Sequence, residues 1–133
     1  MTPALPDILT GQAIGLVTPL PPEAGADYLA GRAGLLAMLA GLAAQEAEKG
    51  VAVRVWENQA IAALLTKAGD IEAKADATDL SWRALDAVNA GLRRRLIALH
   101  EAAEARADKP LQTEILRLYV DMAAARRLVL SLG

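Results

Sequence analysis

The stretch Gln45–Ala60, QEAEKGVAVRVWENQA, decides how many helices this chain has. It lies between apolar runs and carries a glycine, three closely spaced valines and several charges. Read as a loop, it separates two helices. Read as helix, it joins them into one. Phase separates the two readings. With Leu35 as zero and 100° per residue, Leu39, Leu42, Glu46, Val53, Glu57, Ala60 and Leu64 all fall within about 40° of it. A loop has no reason to keep phase across Gly50. Val51, Ala52 and Val53 are poor N-caps for a fresh start, and no proline intervenes. Gly50 costs about 1 kcal/mol in a helix interior, which the phase argument outweighs. The pattern predicts one helix over 27–67, with a break at Gly50 as the alternative.

Outward from this stretch the pattern stays helical. Gly69-Asp70 is a C-terminal stop, and residues 70–78, DIEAKADAT, read as a connection. Thr78 or Asp79 is the expected cap of a helix over 79–107, whose inner face is Leu85, Val88, Leu92, Leu96, Leu99 and Ala103. Pro110 opens a last helix over 110–131. There Leu111, Ile115, Leu118, Met122, Ala125, Val129 and Leu132 step by four and three, the seam of a left-handed bundle. Residues 1–26 carry Pro3, Pro6, Pro19, Pro21 and Pro22 among apolar residues. They read as an extended apolar arm packed on the helices, with room for a helical turn around Asp7 to Gln12. The expected fold is all-α, an antiparallel helical bundle of three long helices (four if Gly50 breaks the first), in a single domain over 1–133.

Composition supports this. The chain has 133 residues, 54% of them hydrophobic but only 3% aromatic, and 30 Ala and 22 Leu dominate. Such a chain builds its core from closely approaching helices. Cysteine is absent, which excludes disulfides, thiolate metal sites and a cysteine nucleophile. A net charge of −2 supplies no field for nucleic acid. The Arg93–Arg95 run spreads around its helix and lacks interleaved aromatics, so pairing with acidic residues explains it better. No secretory signal is apparent. The longest run without a polar side chain, Ala33–Ala44, covers about 18 Å and is too short to span a bilayer. A cytoplasmic protein is expected, and Ala and Arg richness points to a bacterial source.

No catalytic signature is present, and the reading leans away from an enzyme. No cofactor is implied. Glu46 and Glu57 fall on the inward face, but eleven residues is about 16.5 Å along a helix, too far for one metal centre. The only histidine, His100, stands in LHEAAEA and does not form the Glu-x-x-His pattern of di-metal bundles. Buried carboxylates need partners, and Arg54, Arg93, Arg94 and Arg95 are the candidates. Glu46, Arg54, Glu57 and Asn58 are therefore read as a polar core cluster that fixes register, with simple exposure of the glutamates where the long helix outruns its partners as the other structural reading, and with Asn58, about 100° from Glu57, on a solvated face. Lining a small ligand or metal, with His100 contributing, is the alternative. Trp56 and Trp82 read as half-buried packing residues.

Small residues at i, i+4 (Ala30 and Gly34, Ala33 and Ala37, Ala37 and Gly41) favour a close helix–helix seam. A first helix of about 60 Å against a last of about 32 Å leaves part of its seam uncovered. A second copy of the chain, as a two-fold homodimer, is the simplest cover. The function this points to is a non-enzymatic interaction, adaptor or assembly protein with a further protein partner.

Overall fold

The computed structural model describes residues 4–76 and 78–130. Its elements are α1 (Leu5–Val17), α2 (Ala26–Lys67), α3 (Trp82–Ala105) and α4 (Lys109–Arg126). The described residues contain no strand, and no helix among them is long and apolar enough to cross a membrane. The protein is an all-helical bundle. Helix α2 runs unbroken through Gly50, as phase required.

The extended arm is a correction. Residues Leu5–Val17 form a 13-residue helix. The prolines frame it instead of breaking it. Pro6 occupies its first turn, where no helical N–H is needed. Thr18 caps the other end, its N–H and Oγ1 both donating to the Ile14 carbonyl, and Pro19 follows. Gln12 Nε2 donates to the Leu36 carbonyl at 2.9 Å. Arg32 donates to the carbonyls of Gly15 and Thr18. The helices approach closely at Gly15, where an added Cβ would sit 3.2 Å from the Leu36 side chain.

Helix boundaries shift for identifiable reasons. Helix α2 stops where expected: Gly69 takes φ +103°, and the Asp70 N–H reaches back to the Leu65 carbonyl at 2.9 Å. Helix α3 begins at Trp82, three residues later than expected. Its cap is Ser81, whose Oγ accepts from the Ala84 N–H, while Asp79 instead accepts from the Ser81 N–H at 2.8 Å. That bond holds the Asp79 carboxyl below the usual carboxylate range. Asp108 caps α4 by accepting from the Leu111 N–H, with Pro110 in the first turn as expected. Helix α4 ends at Arg126, short of the expected 131. Beyond it, Gln45 binds the backbone of Val129 on both sides, donating to its carbonyl at 2.8 Å and accepting its N–H at 2.9 Å. A helix cannot continue through a residue whose N–H is so engaged. Val129 thus leaves the proposed seam, and Leu132 lies outside the described residues.

Contacts divide the chain into two compact units: the described residues up to Gly50 with those from Leu128 on, and Val51–Arg127. The second unit holds the core. Ile61, Ala62 and Leu65 of α2 pack with Leu92, Leu96 and Ala103 of α3 and with Ile115 and Met122 of α4. Ala73, from the α2–α3 connection, completes it. Helices α3 and α4 are joined by three residues and run antiparallel. The first unit is different: its buried apolar side chains are Ile8 and Ala43, whereas Leu16, Val17 and Leu20 of the same unit are exposed.

The inner face of α2 is rotated by about one residue from the expected seam. Ala43, Glu46, Gly50, Arg54, Glu57, Asn58, Ile61 and Leu65 are buried, whereas Leu35 is 53% exposed. Glu46 and Glu57 keep their expected inward place, and the shift comes from Arg54 and Asn58, polar side chains that turn inward because they find partners.

Candidate functional site

The densest polar group of the second unit sits at one end of its apolar core. Glu57 of α2 is fully buried. Its carboxylate is gripped by Arg126 from the last turn of α4, Nε to Oε2 at 2.6 Å and Nη2 to Oε1 at 3.1 Å. This two-point geometry is the strongest form of carboxylate–guanidinium contact. Asn89 of α3 donates through Nδ2 to Glu57 Oε1 and to Asn58 Oδ1, both at 2.8 Å. Asn89 Oδ1 accepts from Arg126 Nη2 at 3.3 Å. Asn58 Nδ2 donates to the Leu85 carbonyl at 3.2 Å. Arg93 adds a longer ion pair, its Nε 3.4 Å from Glu57 Oε1. One carboxylate thus ties together all three helices of the unit.

A second group lies one turn earlier on α2. Arg54, only 2% exposed, donates through Nε to Asp86 Oδ1 at 2.7 Å. Its guanidinium carbon lies 4.0 Å from the centre of the Trp82 ring. Charge on one side and a π-face on the other suit a planar, weakly hydrated cation. Trp82 and Asp86 both belong to the first turns of α3, so this contact fixes where α3 starts against α2.

Of the expected cluster, Arg54, Glu57 and Asn58 lie together in this unit. Glu46 is also buried but belongs to the other unit. Asn58 is a correction: the solvated face expected for it is not found, and it is 3% exposed because Asn89 and the Leu85 carbonyl satisfy its amide. His100 stands apart, about 16 Å further along α3 than Asn89. Its ring packs on Tyr119 with centroids 5.7 Å apart, and burial pushes the Tyr119 hydroxyl above its usual range. The arginine run divides as helix geometry requires. Arg93 turns to Glu57, Arg94 is exposed, and Arg95 binds both oxygens of Asp70 at 2.8 Å. That contact holds the Asp70 carboxyl below its usual range.

Chemically, the cluster is closed. Both Glu57 oxygens already accept hydrogen bonds, and the bidentate partner is a cation, which repels a metal ion. Among the described residues, no set of three or more His, Asp or Glu side chains is placed to hold a metal, and no buried side-chain nitrogen or oxygen lacks a partner. Such an arrangement specifies how helices align. No family model, curated protein or solved structure matches this chain.

Asn89 and Arg126 were missed as cluster members, yet both carry a sequence signal. Asn89 falls between Leu85 and Leu92 on the α3 seam, and Arg126 one turn after Met122 on the α4 seam. A polar residue in phase with an apolar seam marks a buried polar contact as surely as Glu57 did.

Proposed function

We propose that this protein is a non-enzymatic assembly or adaptor protein that acts as a homodimer, with the first half of α2 as the dimer seam. The observation that carries this is a row of alanines. Ala26, Ala30, Ala33, Ala37, Ala40, Ala44 and Ala47 step by four and three throughout, and all seven are exposed. That is the 3.5-residue period of a coiled-coil seam, held over three heptads on a face that the chain itself leaves open. Beside it, a Cβ added at Gly34 or Gly41 would meet nothing within 4 Å. Each glycine weakens the helix by about 1 kcal/mol, and no contact within the chain compensates for it. A row of small side chains lets two helix axes approach to about 8 Å. The same surface on a second copy is the simplest cover, as in an isologous two-fold interface.

The rest of the first unit supports this reading. Val17 is 80% exposed and Leu16 67%. Large exposed apolar side chains are a feature of interaction surfaces. The closed bonding around Glu57 favours a register-setting role over a ligand site. The cysteine-free composition agrees with a bacterial cytoplasm.

Native mass spectrometry tests the proposal. The wild-type chain is expected at twice its monomer mass, and Ala37→Glu at the monomer mass with unchanged helicity. A monomeric wild type, or an Ala37→Glu variant that still dimerises, would sink it.

A further inference from the structure

Contacts between α1 and the start of α2 run antiparallel: Gln12 meets Leu36, and Arg32 meets Gly15 and Thr18. The two form a helical hairpin whose turn is 18–25. This turn is an apolar tip. The last turn of α1 exposes Ile14, Leu16 and Val17, and Leu20 is exposed just beyond. At 100° per residue these three helical side chains spread over about 160°, on the side turned away from Gln12 and Gly15, which meet α2. No residue from Ile8 to Pro22 is charged. The backbone of the tip is largely satisfied from within. The Ile14 carbonyl accepts both the N–H and the hydroxyl of Thr18. The Arg32 guanidinium donates to the carbonyls of Gly15 and Thr18, and the Pro21 carbonyl accepts the Ala24 N–H. Pro19, Pro21 and Pro22 bring no N–H that needs a partner. Water would satisfy such groups unaided, whereas hydrocarbon would not.

Charge selects the kind of lipid. Residues 1–31 hold no Lys or Arg, and Glu23 and Asp27 flank the tip, so an anionic surface is unfavourable. A cleft of about 360 Å³ beside the turn is lined by Asp27, Tyr28, Gly31, Arg32 and Leu35. A carboxylate and an exposed aromatic ring suit a quaternary ammonium, and a guanidinium suits a phosphate. A choline headgroup carries both. We infer that the α1–α2 turn inserts into the interface of a zwitterionic phospholipid bilayer, with Leu16, Val17 and Leu20 among the acyl chains and Asp27, Tyr28 and Arg32 at the headgroups. This goes beyond the dimer and does not depend on it. Tyr28, Gly31 and Leu35 lie about 160° to 220° from Ala33, on the face of α2 opposite the alanine row.

The test floats the full chain with phosphatidylcholine vesicles on a density gradient. Wild type is expected to rise with the vesicles, as firmly at high salt as at low. Val17→Asp puts a charge at an exposed position of the tip and is expected to lower the bound fraction about tenfold or more at unchanged helicity. Replacing part of the phosphatidylcholine by anionic phosphatidylglycerol is expected to weaken binding. A wild type that stays at the bottom of the gradient, a Val17→Asp that floats equally well, or binding that strengthens with phosphatidylglycerol overturns the proposal. Should Val17→Asp lose helicity, Val17→Trp decides. Brominated phosphatidylcholine is expected to quench its emission beyond the quenching of Trp56 and Trp82 in wild type, and equal quenching overturns the proposal. Ala37→Glu is expected to float like wild type, and dimer mass is measured without vesicles, so a failed seam and a failed tip are told apart.

Discussion

Glu57 shows how a single buried residue is worth more by its partners than by its position. A buried carboxylate without partners would be replaced by leucine at no loss of stability. With Arg126, Asn89 and Arg93 all directed at its carboxylate, the sign reverses. Glu57→Leu leaves a mostly buried guanidinium and a buried amide without their acceptor. Breaking such a pair from one side costs about 3 kcal/mol or more, whereas replacing all partners with apolar residues costs far less. Urea unfolding of Glu57→Leu is therefore expected to show a loss of about 3 kcal/mol, largely recovered in Glu57→Leu/Asn89→Leu/Arg126→Leu. An undiminished midpoint in the single variant would contradict the network. The polarity of positions 46, 54, 57 and 58 was legible in the sequence. Their partners were not, because a hydrogen bond between residues 69 apart leaves no local trace.

At the scale of elements, the long helix was readable because phase survives a weak residue: Gly50 lowers propensity without disturbing the period. The arm was misread because prolines were counted and their positions were not weighed. Pro6 in the first turn and Pro19 just past the last delimit this helix. Ends were the least legible. Helix α3 is capped by Ser81 and not by Thr78 or Asp79 because Asp79 spends its carboxylate on the Ser81 N–H, leaving the Ser81 hydroxyl to cap. The capping bond predicts that Ser81→Ala lowers stability by about 1 kcal/mol, and a thermal melt reads it. An unchanged melting temperature would place the start of α3 elsewhere. The end of α4 was hidden for a different reason. Its seam continues in sequence through Val129, and only Gln45, 84 residues away, decides that the helix stops short.

For the whole molecule, the apolar content is unevenly spent. The buried cluster of Ile61, Leu65, Leu92, Leu96, Ile115 and Met122 belongs entirely to the second unit, whereas the first buries few apolar side chains of its own. The isolated segment 51–127 is therefore expected to fold as a cooperative three-helix bundle by circular dichroism and urea titration, and the segment 1–50 to remain poorly helical in isolation. A non-cooperative 51–127 would mean that the core depends on the rest of the chain. Composition announced a high apolar content but not this division, since periodicity says which face is apolar and not what will cover it. The division also bears on how the protein is made. The first unit takes in residues from Leu128 on, so its two parts are synthesised with the whole of the second unit made between them. During that interval Gln45 has no Val129 backbone to bind. The second unit can therefore close first, while the segment up to Gly50 waits for the residues that complete it.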